Sequence, residues 1–137
     1  MKTMSKQELC EMAKKASANA YGEYSGCKVG AALLAKSGKV YTGVNIENAS
    51  YPAGICAERS AFAAAVSNGE REFEMLAVAG GKNGRFSKDF TPCGICRQFI
   101  NEFADENFLI LIANESSFDE YKAFELLPSA FRKSEVK

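Results

Sequence analysis

The sequence contains no histidine and no tryptophan, only three prolines, and no excess of charge of either sign. Each shortage narrows the chemistry. Without histidine, a transition-metal site has to rest on thiolates or carboxylates, and Glu, Asp, Cys, Tyr or Lys must move protons in place of imidazole. Lys and Arg number 17 and Asp and Glu number 17, so the net charge is zero. Proteins that depend on a phosphate backbone show a basic balance or stripe, so nucleic acid is set aside as the main partner. No apolar run approaches the roughly 20 residues of a membrane helix. The opening MKTMSKQELC is too polar for the apolar stretch of a secretory signal. A cytoplasmic protein without a membrane partner is expected, in a compartment that keeps thiols reduced.

Cysteine is present, five times, at irregular spacing. An odd number argues against a disulfide framework and for metal or redox chemistry. The 137 residues suit one domain, 1–137. A domain of that size buries roughly 70% of its unfolded surface, so neither zinc nor a disulfide is needed merely to supply a core.

The pattern along the chain predicts the order αββαβαββ. Ser5 followed by Glu8 reads as a capping box, with Leu9, Met12, Ala13, Ala16 and Ala20 at helical spacing, so a first helix should run to about Ala20. KVGAALLA (28–35), the turn Ser37-Gly38 and GKVYTGVNIEN read as a hairpin. After the Pro52/Gly54 break, a helix is expected from Cys56 to about Asn68, closed by Gly69. A third strand covers 75–80, a helix opens at Pro92 and reaches about Ala104, and a fourth strand covers 108–113. A weak fifth strand near Tyr121, the turn FELLPSAF and a solvated KSEVK tail finish the chain. Helices interleaved among apolar strands predict an α/β fold, a mixed sheet with helices on both faces.

Two cysteine motifs fall where helices begin, Cys56-Ala57-Glu58 and Pro92-Cys93-Gly94-Ile95-Cys96. The positive end of a helix stabilises thiolate over thiol. Cys93 and Cys96, three residues apart, share a helix face, and Cys56 supplies a third sulfur if the two helices lie side by side. Three thiolates leave the fourth position of tetrahedral Zn²⁺ open to water, the catalytic arrangement. Glu58 is close enough to that position to carry protons without being a ligand. Arg59 and Arg97, each next to a ligand, can offset thiolate charge. The pattern matches the signature of zinc-dependent base deaminases in its three-cysteine form.

The stretches VGAALLAKSGKVYTGVNIENASYPAGICAERSA and TPCGICRQ, with ELLPSAF near the end, resemble the small homotetrameric cytidine deaminases. The motifs extend from Tyr21 to Phe131, and their combination at this spacing is specific. The resemblance implies the cytidine deaminase fold, an α/β/α sandwich around a mixed five-stranded sheet. It implies hydrolysis of cytidine or deoxycytidine to uridine or deoxyuridine with release of ammonia, in pyrimidine salvage. It makes Cys56, Cys93 and Cys96 the zinc ligands and Glu58 the proton shuttle. It places Asn45 and Glu47 on the ribose, and Ala57 and Thr91 at the pyrimidine edge through backbone groups. Arg59 and Gln98 would hydrogen-bond the thiolates, and Phe131 would enter a neighbouring subunit's site. One position departs from the family: Cys27 stands where an aromatic residue commonly packs on the base.

Other readings accompany these. A CxxC that opens a helix also serves thioredoxin-like redox pairs, and Cys10 or Cys27 as a fourth sulfur would make a structural zinc. Asn45 and Asn48 can act as turn residues, Arg59 as a surface ion-pair partner, and Phe131 as simple packing. At the level of function, the rivals are a same-fold deaminase of blasticidin S or a related cytosine nucleoside, and a non-catalytic zinc-stabilised nucleoside-binding module.

Overall fold

In the computed structural model, residues 4–136 are described. The elements are α1 (Lys6–Ser17), β1 (Lys28–Ala35), β2 (Val40–Val44), α2 (Ala57–Ser67), β3 (Phe73–Gly81), α3 (Gly94–Phe103), β4 (Leu109–Ala113) and β5 (Phe118–Lys122), with short 3-10 turns between and after them. The sheet order is β2-β1-β3-β4-β5, with β3 and β4 parallel and every other neighbouring pair antiparallel. The expected order and mixed sheet are both present.

Strand alternation divides the core in two, because successive side chains point to opposite faces. Ala32, Leu34, Ala77, Ala79 and Leu111 pack with Leu9, Cys10 and Ala13 of α1. Ala31, Leu33, Leu76, Val78, Ile110 and Ile112 pack on the other face with Ala57, Ala61 and Phe62 of α2 and Ile100 of α3. A sheet covered on both faces reads as nearly continuous apolar strands, which is why β1, β3 and β4 show no polar alternation.

Several boundaries differ from the sequence-based expectation. Helix α1 stops at Ser17, where successive i→i+3 bonds (Ala18 N to Lys15 O, Asn19 N to Ala16 O, Ala20 N to Ser17 O) tighten the last turn. β2 ends at Val44; beyond it Ile46 forms single bridges to Tyr21 and Ile55, which turn the chain toward α2. α3 begins at Gly94, so Pro92 precedes the capping residue Cys93 and does not open the helix. The KSEVK end contains a 3-10 turn at Lys133–Glu135, and Lys137 lies outside the described residues. Gly69 has the positive φ (+93°) its place after α2 requires.

Two features set the ligand-bearing helices. A Cβ on Gly43 would lie 2.3 Å from the Ala61 nitrogen, so only glycine lets α2 settle this closely on β2. Between α2 and α3, the Phe62 ring sits 5.3 Å from Phe103 and 5.8 Å from Phe99, centroid to centroid. The two helices therefore lie side by side, the condition on which a three-sulfur site depends.

Candidate active site

Cys56 caps α2 and Cys93 caps α3, both with extended backbone, and neither side chain makes a capping hydrogen bond to its helix. Their sulfurs are consequently free to face each other across the helix pair. Cys56 Sγ and Cys93 Sγ are 3.9 Å apart, and with buried Cys96 all three sulfurs lie within 4.8 Å of one another. Two sulfurs on a tetrahedral zinc with Zn–S near 2.3 Å stand roughly 3.8 Å apart. The spacing suits that ion, and it brings together the three cysteines picked out by motif. Cys10, on the buried face of α1 on the other side of the sheet, supplies no fourth sulfur.

The electrostatics also call for a cation. Hydrogen bonding with Cys96, then with Arg59 and Cys93, pulls the Cys56 thiol down to about 5, while burial opposes this. Cys96 moves upward, first through its bond to Cys56 and then through burial and the neighbouring negative charges. A divalent cation held among the sulfurs would oppose that rise by favouring thiolate. Arg59 Nη2 approaches Cys56 Sγ at 3.8 Å, and Arg59 Nε is buried with no partner. Arg59 thus faces the sulfurs and is not a surface ion-pair residue. The set fits Zn²⁺.

A cleft of about 520 Å³ opens over this cluster, within the range of small-molecule sites. Glu58 lines it from the first turn of α2 and is only 5% exposed. Burial, the largest influence, together with the Cys56 charge, pushes its carboxyl up to about 7, against its own backbone N–H and Arg59. A carboxyl balanced there can both accept and release a proton near neutrality.

Asn45, Glu47, Ala57 and Thr91 also line the cleft. Asn45 Oδ1 accepts from the Val29 N–H at 2.8 Å and its Nδ2 donates to the Cys27 carbonyl at 3.1 Å, so part of its capacity goes to the chain itself. Glu47 accepts from Ser25 and Tyr24, first through the Ser25 hydroxyl, and these donors hold its carboxyl below the usual range. Asn48 Oδ1 accepts from the Ser50 N–H, the turn role anticipated for it, while also bordering the cleft.

Two expectations require correction. Gln98 Nε2 donates to the Phe131 carbonyl at 2.8 Å, and no hydrogen bond to a sulfur is found for it. Arg97 makes its hydrogen bonds elsewhere than to the sulfurs. Its guanidinium donates to the Pro92 and Leu126 carbonyls and to Thr91 Oγ1, pinning the segment before α3 to the chain's end. Phe131 is 64% exposed and does not border the cleft within this chain.

Sequence reading missed Phe90, Tyr24 and Tyr51, whose rings line the cleft, whereas Cys27 does not. The Phe90 ring lies against Gly80, where a Cβ would approach it within 2.7 Å. Its place directly before Thr91-Pro92-Cys93 was the available signal. For the tyrosines, which meet ring to ring at 5.9 Å, nothing local gave notice.

A family model described as the cytidine and deoxycytidylate deaminase zinc-binding region matches residues 3–112. The chain is 43% identical over 134 residues to a cytidine deaminase of Sporosarcina psychrophila, covering 97% of this chain and 96% of the relative. A solved structure of cytidine deaminase from Burkholderia pseudomallei is 40% identical, with a TM-score of 0.84 over 93% of this chain and all of that one. A blasticidin-S deaminase of Bacillus cereus is more distant, 32% identical over 63% of this chain. With the zinc-binding region matched on one side and the three-sulfur cluster beside Glu58 on the other, this chain belongs to the cytidine and deoxycytidylate deaminase family.

Proposed function

We propose that this protein hydrolyses cytidine and deoxycytidine to uridine and deoxyuridine with release of ammonia, as a single deaminase domain acting in pyrimidine salvage. The observation that carries the reading is the buried Glu58 in the same cleft as three cysteine sulfurs that lie within 4.8 Å of one another and would hold zinc. Cys56, Cys93 and Cys96 would hold zinc, which would lower the pKa of water and so supply a nucleophile near neutral pH.

The chain's own residues do the rest. Glu58 takes a proton from the attacking water and gives one to ring N3 as oxygen adds at C4. It then takes the proton of the new C4 hydroxyl and passes it to the amino group, the C4–N bond breaks, ammonia leaves and C4 becomes a carbonyl. Asn45 and Glu47 orient the sugar, and backbone groups at Ala57 and Thr91 hold the pyrimidine edge. Arg59 steadies the sulfur charge. Phe90, Tyr24 and Tyr51 supply ring faces around the base and sugar, in place of the aromatic that Cys27 lacks. We place this work in the cytoplasm, with Phe131 completing a neighbour's site in a homotetramer.

Zinc-loaded protein incubated with cytidine, deoxycytidine, cytosine and blasticidin S tests the reading. Loss of the aminopyrimidine absorbance is expected with the first two. Turnover of blasticidin S alone would move the assignment to the same-fold rival, and binding without any turnover would leave a nucleoside-binding module. Glu58→Gln should retain zinc while losing roughly 10²- to 10⁴-fold in kcat; wild-type turnover by that variant would sink the role given to Glu58.

A further inference from the structure

The side chains expected to meet the sugar are held by one loop. Residues 22–27 turn back over the end of β2, closed by a bond from Gly26 N to Gly22 O at 3.0 Å. At the loop's start, Tyr21 N donates to Asn45 O and Glu47 N donates to Tyr21 O, each at 2.9 Å. At its end, Asn45 grips the Cys27 carbonyl and the Val29 N–H. Between these anchors, Glu47 Oε1 accepts the N–H groups of Tyr24 and Ser25, both at 2.9 Å, and Oε2 accepts the Ser25 hydroxyl.

The direction of that hydroxyl is settled. Ser25 Oγ accepts from the Cys27 N–H at 3.0 Å, which occupies a lone pair and leaves its proton for Glu47. A carboxylate has about four acceptor positions. Three go to Tyr24 and Ser25 and the Asn45 amide adds a weaker contact, so the carboxylate is already oriented before a ligand arrives. Side chains ordered before binding do not have to lose that freedom when the ligand arrives.

We propose that Ser25 is a positioning residue for sugar recognition, fixing the Glu47 carboxylate in a single orientation toward a ribose hydroxyl donor. The inference rests on the nucleoside-deaminase reading. Of these three donors to Glu47, the Ser25 hydroxyl is the one a substitution removes, since the other two are backbone.

The test compares wild type, Ser25→Ala and Ser25→Thr on cytidine and on 2′,3′-dideoxycytidine, which lacks the sugar's 2′ and 3′ hydroxyls. For Ser25→Ala on cytidine, KM should rise about tenfold, the effect of losing one hydrogen bond to a charged group, with kcat within about twofold. On dideoxycytidine the same variant should match wild type within about twofold, and Ser25→Thr should recover the cytidine KM. Urea midpoints are measured alongside. An equal loss on both substrates with a lowered midpoint would reduce Ser25 to a loop fastener and overturn the proposal, as would an unchanged cytidine KM. If wild type itself leaves cytidine intact, the deaminase reading fails first, and that outcome is distinct from an active wild type indifferent to Ser25→Ala.

Discussion

Cys10 and Cys56 are one functional group in opposite settings. Cys56 caps α2 beside Arg59 and two further sulfurs, and its thiol is pulled down to about 5. Cys10 is sealed under the sheet, and burial pushes its thiol up to about 11, with Lys14 opposing and Glu11 adding. The folded chain thus keeps a proton on Cys10 that the unfolded chain releases from its ordinary value of 9.0. Where the native state binds more protons than the unfolded one, stability falls as pH rises. The advantage is intact below pH 9 and is lost between about 9 and 11. Urea midpoints of wild type and Cys10→Ala, both zinc-loaded, should therefore differ by an amount that shrinks across that window. A gap that stays constant from pH 8 to 11 would show that this thiol does not titrate there. At this scale the sequence was most readable where chemistry is local. The sulfurs and Glu58 follow from helix starts and from spacings of two and three residues. Gln98 was misjudged because its partner, Phe131, lies 33 residues further along the chain, and Arg97 joins the nearby Pro92 and Thr91 to Leu126, 29 residues on. No local pattern announces a contact that depends on the C-terminal segment folding back.

At the scale of elements, the site is a consequence of how α2 and α3 lie together. Each helix brings a capping sulfur, but the 3.9 Å separation exists because Phe62, fully buried on α2, packs against Phe99 and Phe103 of α3. Helix existence and the apolar β1, β3 and β4 were legible from periodicity, and so was burial on both faces. The helix-to-helix contact was legible only as a condition, since aromatic residues at 62, 99 and 103 signal core without naming their partner. Phe62→Ala should cost about 3–5 kcal/mol of stability, the usual range for removing a buried Phe. It should also weaken zinc binding, measured by competition with a chelator, because the two capping sulfurs lose their common support. A variant destabilised to that degree yet binding zinc as tightly as wild type would show that the metal site is set by the helix starts alone. No such independence is expected where α2 and α3 meet through the same few rings.

At the scale of the whole molecule, the surface around the cleft is the outstanding feature. Tyr24, Ile46 and Tyr51 border the cleft and are among the exposed large apolar residues, and Ile95 and Phe131 are exposed as well. Ile95 follows Cys93 on α3, and Phe131 is tethered to α3 by Gln98, so these two belong to the metal end of the molecule. Large apolar groups gathered round a site point to an interaction surface more than to a solvated one. With no net charge to keep copies apart, a second copy of this chain suits that surface. In the proposed homotetramer, Phe131 of one subunit completes the cleft of another, so catalysis becomes a property of the assembly. Sedimentation should give the mass of four chains. Phe131→Ala should lower kcat/KM for cytidine by roughly tenfold or more, as expected of a buried aromatic anchor. Mixing is the sharper measurement: Glu58→Gln and Phe131→Ala chains, unfolded together and refolded with zinc, should exceed the sum of their separate activities. In such hybrids, a cleft with an intact Glu58 receives an intact Phe131 from its neighbour. If the mixture gives only the sum, each chain completes its own cleft, and Phe131 is a packing residue of the C-terminal segment.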